Sequence, residues 1–453
     1  MTPGTARKRM IEAINPPSRN LPTVAAVFCL LALLCNGLDA YTLFGIPLPW
    51  YGSVFPILAW IAIAVRGDIE FIPETGWFWA LFAWLAVITL AHTIWGDYFL
   101  KMPGTATARY SVYVILRFYN LLSFLAVVYL VYFICRHGDY QAIVDCTVYI
   151  GVCLAGYALY VYSATIFGWP EVPRNRLGTG PTGEQAVSVF TYAFHRALGS
   201  FREPGLMAQW VAVPFLLCFI HSSRFKYVYA LIIGAALLLS GSLTGILSIF
   251  LGFSIASAVF IFHRTSALKS ILRFAVVLTV SCVIFGFFVV GYGESGYEKE
   301  NALVLLTTLA ERIRPILEGG MTMSNRGYVY EYIFNHVPPV LGYGLGHANI
   351  LFSGTSEQLV SFLNLYFNIL YSGGLVGLLI LVLLLLRPLH GFLSGAWDRR
   401  PDTCFILSAY LAWLFIFFAN AEELSMFFGV VYGLILFRVG GMDPACTSPT
   451  AGT

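Results

Sequence analysis

The sequence predicts an all-α, polytopic membrane protein with about 12 transmembrane helices and a large outer loop carrying amphipathic helices. Three observations predict it. Of 453 residues, 58% are hydrophobic and only 11% are charged, where a soluble chain carries roughly a quarter charged residues. The apolar residues gather into runs close to the ~20 that cross hydrocarbon as a helix, the form in which a backbone satisfies its own hydrogen bonds in lipid. Lysine and arginine then alternate between rich and poor inter-run segments, as the positive-inside rule requires.

Taken in order, the runs give spans at 21–38, 46–65, 76–95, 112–135, 142–167, 203–221, 227–240, 242–262, 271–293, 361–386, 404–420 and 424–438. The basic start, Arg7-Lys8-Arg9 and then Arg19, resembles the n-region of a signal peptide. The apolar stretch from Leu21 lacks a small-residue cleavage site, so it reads as an uncleaved first span. Only Gly241 separates 227–240 from 242–262, and the charges decide that these are two spans. With both termini cytoplasmic, 15 of the 26 Lys and Arg fall on the cytoplasmic side, including Arg66, Arg136, Arg224, Lys226, Arg387, Arg399, Arg400 and Arg438. Merging the pair would flip every later loop and put Arg387, Arg399 and Arg400 outside.

Two outer loops are long under this topology, and the chain reads as one integral membrane domain over 1–453. The loop at 168–202 begins with Gly168-Trp169-Pro170 and continues through Pro173, Gly178, Gly180, Pro181 and Gly183, a composition for irregular structure. The loop at 294–360 carries Leu305, Leu306, Leu309, Ile313, Ile316 and Leu317 at helical spacing, which predicts an amphipathic helix over 301–318 ended by Gly319-Gly320. A second helix is expected from a cap at Ser324 or Asn325 to the stop at Pro338-Pro339. Such helices would roof a cavity at the membrane surface.

The nine cysteines lie in spans, at the cytoplasmic end of one (Cys135) or in the tail (Cys446), so the outer loops offer no disulfide and no zinc spacing. The eight histidines are scattered, with no HExxH pattern. Gly342, Gly344 and Gly346 spell GxGxG, but no strand-to-helix context surrounds them, and they read as a turn closely approached by other backbone. The net charge of +3 is too small to suggest a nucleic-acid partner.

Arginines gather outside the spans, as Arg174, Arg176, Arg196 and Arg202 in one loop and Arg312, Arg314 and Arg326 in the other, while Arg117 lies just inside a span. A guanidinium is a planar, permanently charged fork matched to phosphate oxygens. The set therefore suits an anionic ligand whose tail lies in the bilayer. Lipid headgroup contacts and loop capping are the alternative readings. Glu203, beside Arg202, is either a general base or the salt-bridge partner of Arg196 or Arg202.

The order of three motifs resembles the O-antigen ligase and polymerase superfamily over about residues 190–385. They are Arg196-Ala197-Leu198-Gly199-Ser200-Phe201-Arg202-Glu203-Pro204; Ser240-Gly241-Ser242-Leu243-Thr244-Gly245, with Leu243 where relatives carry Arg; and Asn325-Arg326-Gly327-Tyr328, followed by the GxGxG turn and Ser361-Phe362-Leu363-Asn364-Leu365-Tyr366. The resemblance implies a metal-independent glycosyltransferase with no cofactor. It would move a preassembled oligosaccharide from undecaprenyl diphosphate to an acceptor at the periplasmic face of the bacterial inner membrane. Arg196 and Arg326 would hold the diphosphate, with Arg202, Arg117 and Asn364 completing the substrate site. Ligases that use a lipid A–core acceptor carry His before the Asn, and Leu363 stands there. The resemblance therefore favours a polymerase of O-antigen or exopolysaccharide repeat units, with a chain-length regulator as a further partner. His336 or His347 could supply the imidazole from the same loop, which keeps the ligase as the alternative. A lipid-linked sugar transporter is the rival from another class, although the one-sided placement of polar residues departs from the midplane sites of transporters.

Overall fold

The computed structural model describes residues 21–66, 72–96, 100, 102, 109–176, 187–188, 191–264, 337, 339–352, 362, 364–393, 401–420 and 424–440. These residues form a helical assembly with two short hairpins. The helices are α1 (Leu21–Gly37), α2 (Leu48–Val65), α3 (Gly76–Trp95), α4 (Tyr110–His137), α5 (Tyr140–Phe167), α6 (Pro204–Leu217), α7 (Lys226–Leu239), α8 (Leu243–Arg264), α9 (His347–Phe352), α10 (Leu365–Leu393), α11 (Pro401–Ile416) and α12 (Met426–Gly440). Among the described residues, six stretches are long and apolar enough to cross a membrane: Leu48–Val65, Pro73–Trp95, Tyr110–His137, Tyr140–Thr165, Leu243–Ile261 and Leu365–Phe392. Leu21–Gly37, Pro204–Ile220, Lys226–Leu239, Asp402–Ile416 and Met426–Val439 are shorter apolar helices. Each of these eleven overlaps one expected span; the expected span at 271–293 and the amphipathic helices from 301 and 324 lie outside the described residues.

Local chemistry explains the ends. Pro204 occupies the first turn of α6, where a missing N–H costs nothing. The Asp139 carboxylate accepts the Gln141 N–H and caps α5. Between α7 and α8 the chain turns at Gly241, whose φ of +55° suits a residue without Cβ. Two helices stand there, the shorter of them 14 residues long. Strands β1 (Thr42–Leu43) and β2 (Ile46–Pro47) form a tight hairpin before α2. Strands β3 (Val187–Ser188) and β4 (Thr191–His195) form another, in a loop expected to begin as irregular structure.

Helix α10 carries the main departure from a simple span. Its backbone breaks at Gly374, with φ +69° and ψ −170°. The groups released by the break are taken up by the glycine-rich segment. Tyr343 and Gly344 donate N–H to the carbonyls of Tyr371 and Ser372, each at 2.8 Å, and Leu375 donates to the Pro339 carbonyl at 3.1 Å. A Cβ on Gly342 would sit 2.4 Å from the Ser372 oxygen, and one on Gly374 would sit 2.2 Å from the Val340 oxygen. The GxGxG run is thus a turn wedged against other backbone. Trp84 and His92 of α3 hold the two sides of this junction, through the Gly373 carbonyl of α10 at 2.7 Å and the Gly342 carbonyl of the turn at 3.1 Å.

Candidate functional site

The segment Arg196–Pro204 enters the assembly as a set of fixed contacts. Arg196, half-buried, donates its Nε–H to the Ser240 carbonyl at 2.6 Å, and Ala197 donates to Leu239 at 2.9 Å, so this corner satisfies the C-terminal carbonyls of α7. Gly199, at φ +54°, lies so close to α5 that a Cβ would approach Ala158 to 2.8 Å. Ser200 donates its hydroxyl to the Gly37 carbonyl at 2.6 Å and accepts the Ala40 N–H on its own carbonyl at 2.8 Å. This seats the segment against the end of α1. Phe201 is buried against Trp210. Arg202 emerges beside a cavity.

The cavity measures about 300 Å³ and lies at one end of the helices. It is lined by the C-terminus of α1 (Asn36), the start of α2 (Trp50, Ser53), the N-terminal half of α4 (Tyr113, Arg117, Asn120, Ser123) and of α6 (Gln209, Trp210), and the α11–α12 corner (Trp413, Asn420, Ser425). Asp39, Arg176 and Arg202 come from the loops above them. Arg66, Arg136, Lys226 and Arg438 stand at the opposite helix ends.

Three guanidiniums therefore line one cavity. Arg117 donates to the Tyr113 hydroxyl at 2.9 Å, with its guanidinium carbon 4.8 Å from the centre of that ring. Arg202 donates its Nε–H to Asp39 Oδ2 at 2.7 Å, and Arg176 pairs with Asp39 Oδ1. The Asp39 side chain is 13% exposed. Carboxamides complete the wall: Trp210 donates to Asn36 at 3.1 Å, and Asn420 donates to Gln209 at 3.0 Å. Nearby, Arg174 donates to the Phe201 carbonyl, and burial lowers its pKa.

Of the residues expected to form the site, Arg117 and Arg202 line this cavity. Arg196 is not among the lining residues, and its Nε binds the Ser240 carbonyl at the α7 corner. Glu203 is exposed at the N-cap position of α6, and the carboxylate that Arg202 holds is Asp39 rather than Glu203. Asn364 caps α10, accepting the N–H groups of Tyr366 at 2.8 Å and Phe367 at 3.3 Å. Arg326 and His336 lie outside the described residues. His347 begins α9, fully buried, with Nε2 against the Tyr110 hydroxyl and 3.3 Å from Thr93 Oγ1. Burial first, and then the neighbouring His92, push its pKa down to about 4, so the imidazole is neutral at physiological pH. It stands behind the cavity wall, because a Cβ on the adjacent Gly346 would meet Tyr113 at 3.2 Å and Arg117 at 3.7 Å.

Asp39 is the site residue that the reading of motifs missed. The signal was present: a lone carboxylate directly after the first apolar run, facing a short loop. Gln209 in α6 and Asn120 in α4 gave the same weaker signal, polar carboxamides inside apolar runs.

These features define a class: a protein whose described residues are almost entirely helical, with six helices among them long and apolar enough to cross a membrane, and an arginine-lined polar cavity at one end of those helices. No protein-family model, no curated protein and no solved structure matches the chain.

Proposed function

We propose that this chain is a metal-independent glycosyltransferase of the bacterial inner membrane, with both termini cytoplasmic. It transfers preassembled oligosaccharide from undecaprenyl diphosphate at the periplasmic face and polymerises O-antigen or exopolysaccharide repeat units. The observation that carries the reading is the convergence of Arg117, Arg176 and Arg202 on one cavity at the helix ends that the charge asymmetry places outside. A lipid-linked diphosphate has its tail in the bilayer and its charge at that level. In this reading the guanidiniums and the carboxamides of Asn120, Gln209 and Asn420 hold the diphosphate and stabilise it as it leaves. The acceptor hydroxyl attacks the anomeric carbon, the bond from that carbon to the diphosphate oxygen breaks, and its electron pair leaves with the diphosphate. The hydroxyl proton is lost late to a weak base such as Glu203, next to Arg202 in the chain, because an oxocarbenium-like transition state needs little nucleophile activation.

His347 supports a second reading. A neutral imidazole buried against Tyr110 and adjoining the wall that carries Arg117 could serve a ligase that transfers the glycan to lipid A–core. One experiment separates the two. Purified full-length protein given only undecaprenyl-diphosphate-linked repeat units should lengthen them without nucleotide and in the presence of EDTA. Units left unchanged, but joined to added lipid A–core, would replace polymerase by ligase. Inertness toward both, with net movement of labelled lipid-linked sugar across vesicles, would leave the transporter.

A further inference from the structure

The walls of the cavity differ in chemistry. Beside the guanidiniums stand neutral side chains, Asn36, Trp50, Ser53, Gln209 and Trp210, from α1, α2 and α6. Asn36 and Gln209 each spend one end of the amide on the protein. Asn36 Oδ1 accepts the Trp210 Nε1–H at 3.1 Å, and an indole can only donate, so the NH2 end of Asn36 is the one left over. Gln209, 7% exposed, accepts the Asn420 amide on Oε1 at 3.0 Å, which leaves its NH2 end as well. Neither NH2 group, nor the Nε1–H of the half-buried Trp50, has a hydrogen-bond partner among the described residues.

These groups are held in place. Trp210 lies face to face on Phe427, ring centres 4.2 Å apart, and so fixes the Asn36 amide that receives its N–H. The start of α2 is tied down by the Tyr119 hydroxyl on the Trp50 carbonyl at 2.7 Å and by the Ser53 hydroxyl on the Pro49 carbonyl at 3.1 Å. An interfacial tryptophan that anchors a span among lipid headgroups is the plain reading of Trp50. An anchor needs lipid around it, however, and this indole lines a cavity with two unspent amides. The ligand that fits must bring hydrogen-bond acceptors and an apolar face together. A diphosphate has acceptors and no apolar face, and an acyl chain has an apolar face and no acceptors. A pyranose has both, with oxygens around its rim and C–H groups across its face.

We propose that this neutral wall is a sugar subsite, in which Trp50 packs on the C–H face of the sugar next to the diphosphate while Asn36 and Gln209 donate to its oxygens. This rests on the reading of the cavity as the diphosphate site, and the second hydrogen of the Gln209 NH2 remains for a phosphate oxygen. The protein then grips the donor on both sides of the bond that breaks, with the sugar on one wall and the leaving diphosphate on the other.

The test uses full-length protein in lipid nanodiscs and two probes of the same lipid and charge, farnesyl-diphosphate-linked glucose and the methyl ester of farnesyl diphosphate. Calorimetric titration, corrected with empty nanodiscs, gives both affinities. Wild-type protein should prefer the sugar-bearing probe by about tenfold, the scale of one aromatic face and one hydrogen bond. Trp50→Leu should reduce that ratio to about twofold without changing the affinity for the methyl diester, and Trp50→Phe, which keeps a ring, should retain about fivefold. A folded Trp50→Leu protein with the wild-type ratio overturns the proposal. So does an equal loss of both affinities, the mark of a residue that only shapes the helix. Should Trp50→Leu fail to fold, Asn36→Asp decides. It keeps an acceptor for the Trp210 N–H and removes the NH2 group, and its added charge cancels in the ratio because the two diesters carry the same charge. An unchanged ratio there again overturns the proposal. If wild-type protein binds both diesters equally, the sugar subsite falls and the diphosphate site stands. If it binds neither, both fall. If the ratio depends on Trp50 but no glycan is lengthened or transferred, the reaction falls and the subsite stands.

Discussion

The two ends of the helices both carry ionic side chains, and they use them differently. At the end opposite the cavity, charges close on helix ends and on one another. Asp402 accepts the Tyr140 hydroxyl at 2.7 Å and pairs with Arg438 at 3.7 Å, whose guanidinium lies 4.2 Å from the Tyr140 ring centre. Asp145 accepts the N–H and hydroxyl of Ser222, and Lys226 donates to the Phe219 carbonyl at 3.2 Å. At the cavity end, Asp39 gathers two arginines along an open wall instead. Charge therefore does not mark a site by itself; a charge held beside space does.

The largest effect that would sharpen this contrast is catalytic. Arg202→Lys and Arg176→Lys keep the charge but lose the planar fork, and should lower glycan lengthening about a hundredfold with normal protein levels. Arg438→Lys at the other end should leave the rate within about twofold. Equal rate losses at both ends would erase the distinction.

A second effect is structural. Gly374→Ala places a Cβ against the Val340 carbonyl at a φ that side chains avoid, and should cost about 3 kcal/mol. Thermal unfolding in detergent measures it, with Gly205→Ala, where a Cβ meets nothing within 4 Å, as the neutral reference. A Gly374→Ala protein as stable as that reference would mean that α10 does not break there.

A third effect concerns pH. The folded pKa of His347, about 4, lies below the ordinary value of 6.5. The unfolded chain therefore binds the extra proton first. Stability from this group is complete above pH 6.5 and declines as pH falls toward 4, by at most about 3 kcal/mol. His347→Gln should flatten the unfolding profile across that window relative to wild type. Parallel profiles would place the imidazole in a wetter setting.

The positions of the apolar helices were legible because hydrocarbon thickness sets their length, and the glycine turn at Gly241 because the charges around it disagree with one long span. The arginines were legible as a population, since so few ionic residues occur. Their individual duties were not. Arg196 and Arg202 lie in one motif, yet one closes a helix corner and the other lines the cavity, and six residues of spacing carry no sign of which does which. The break in α10 was hidden for a related reason. Gly373-Gly374 sits inside an apolar run that scores as continuous, and its released backbone groups find partners on Pro339–Gly344, a segment that pattern reading places in a loop.

The amino-acid sequence alone determined the class, the places where helices run and the gathering of guanidiniums in the segments between them. These follow from the cost of burying backbone and charge, which depends on composition and on spacing along the chain. Tertiary structure decided which arginines share a wall, that Asp39 joins two of them, and that a glycine-rich turn completes a broken helix. Those depend on helix rotation and on contacts between residues as far apart as Asp39 and Arg202, and local spacing says nothing about either.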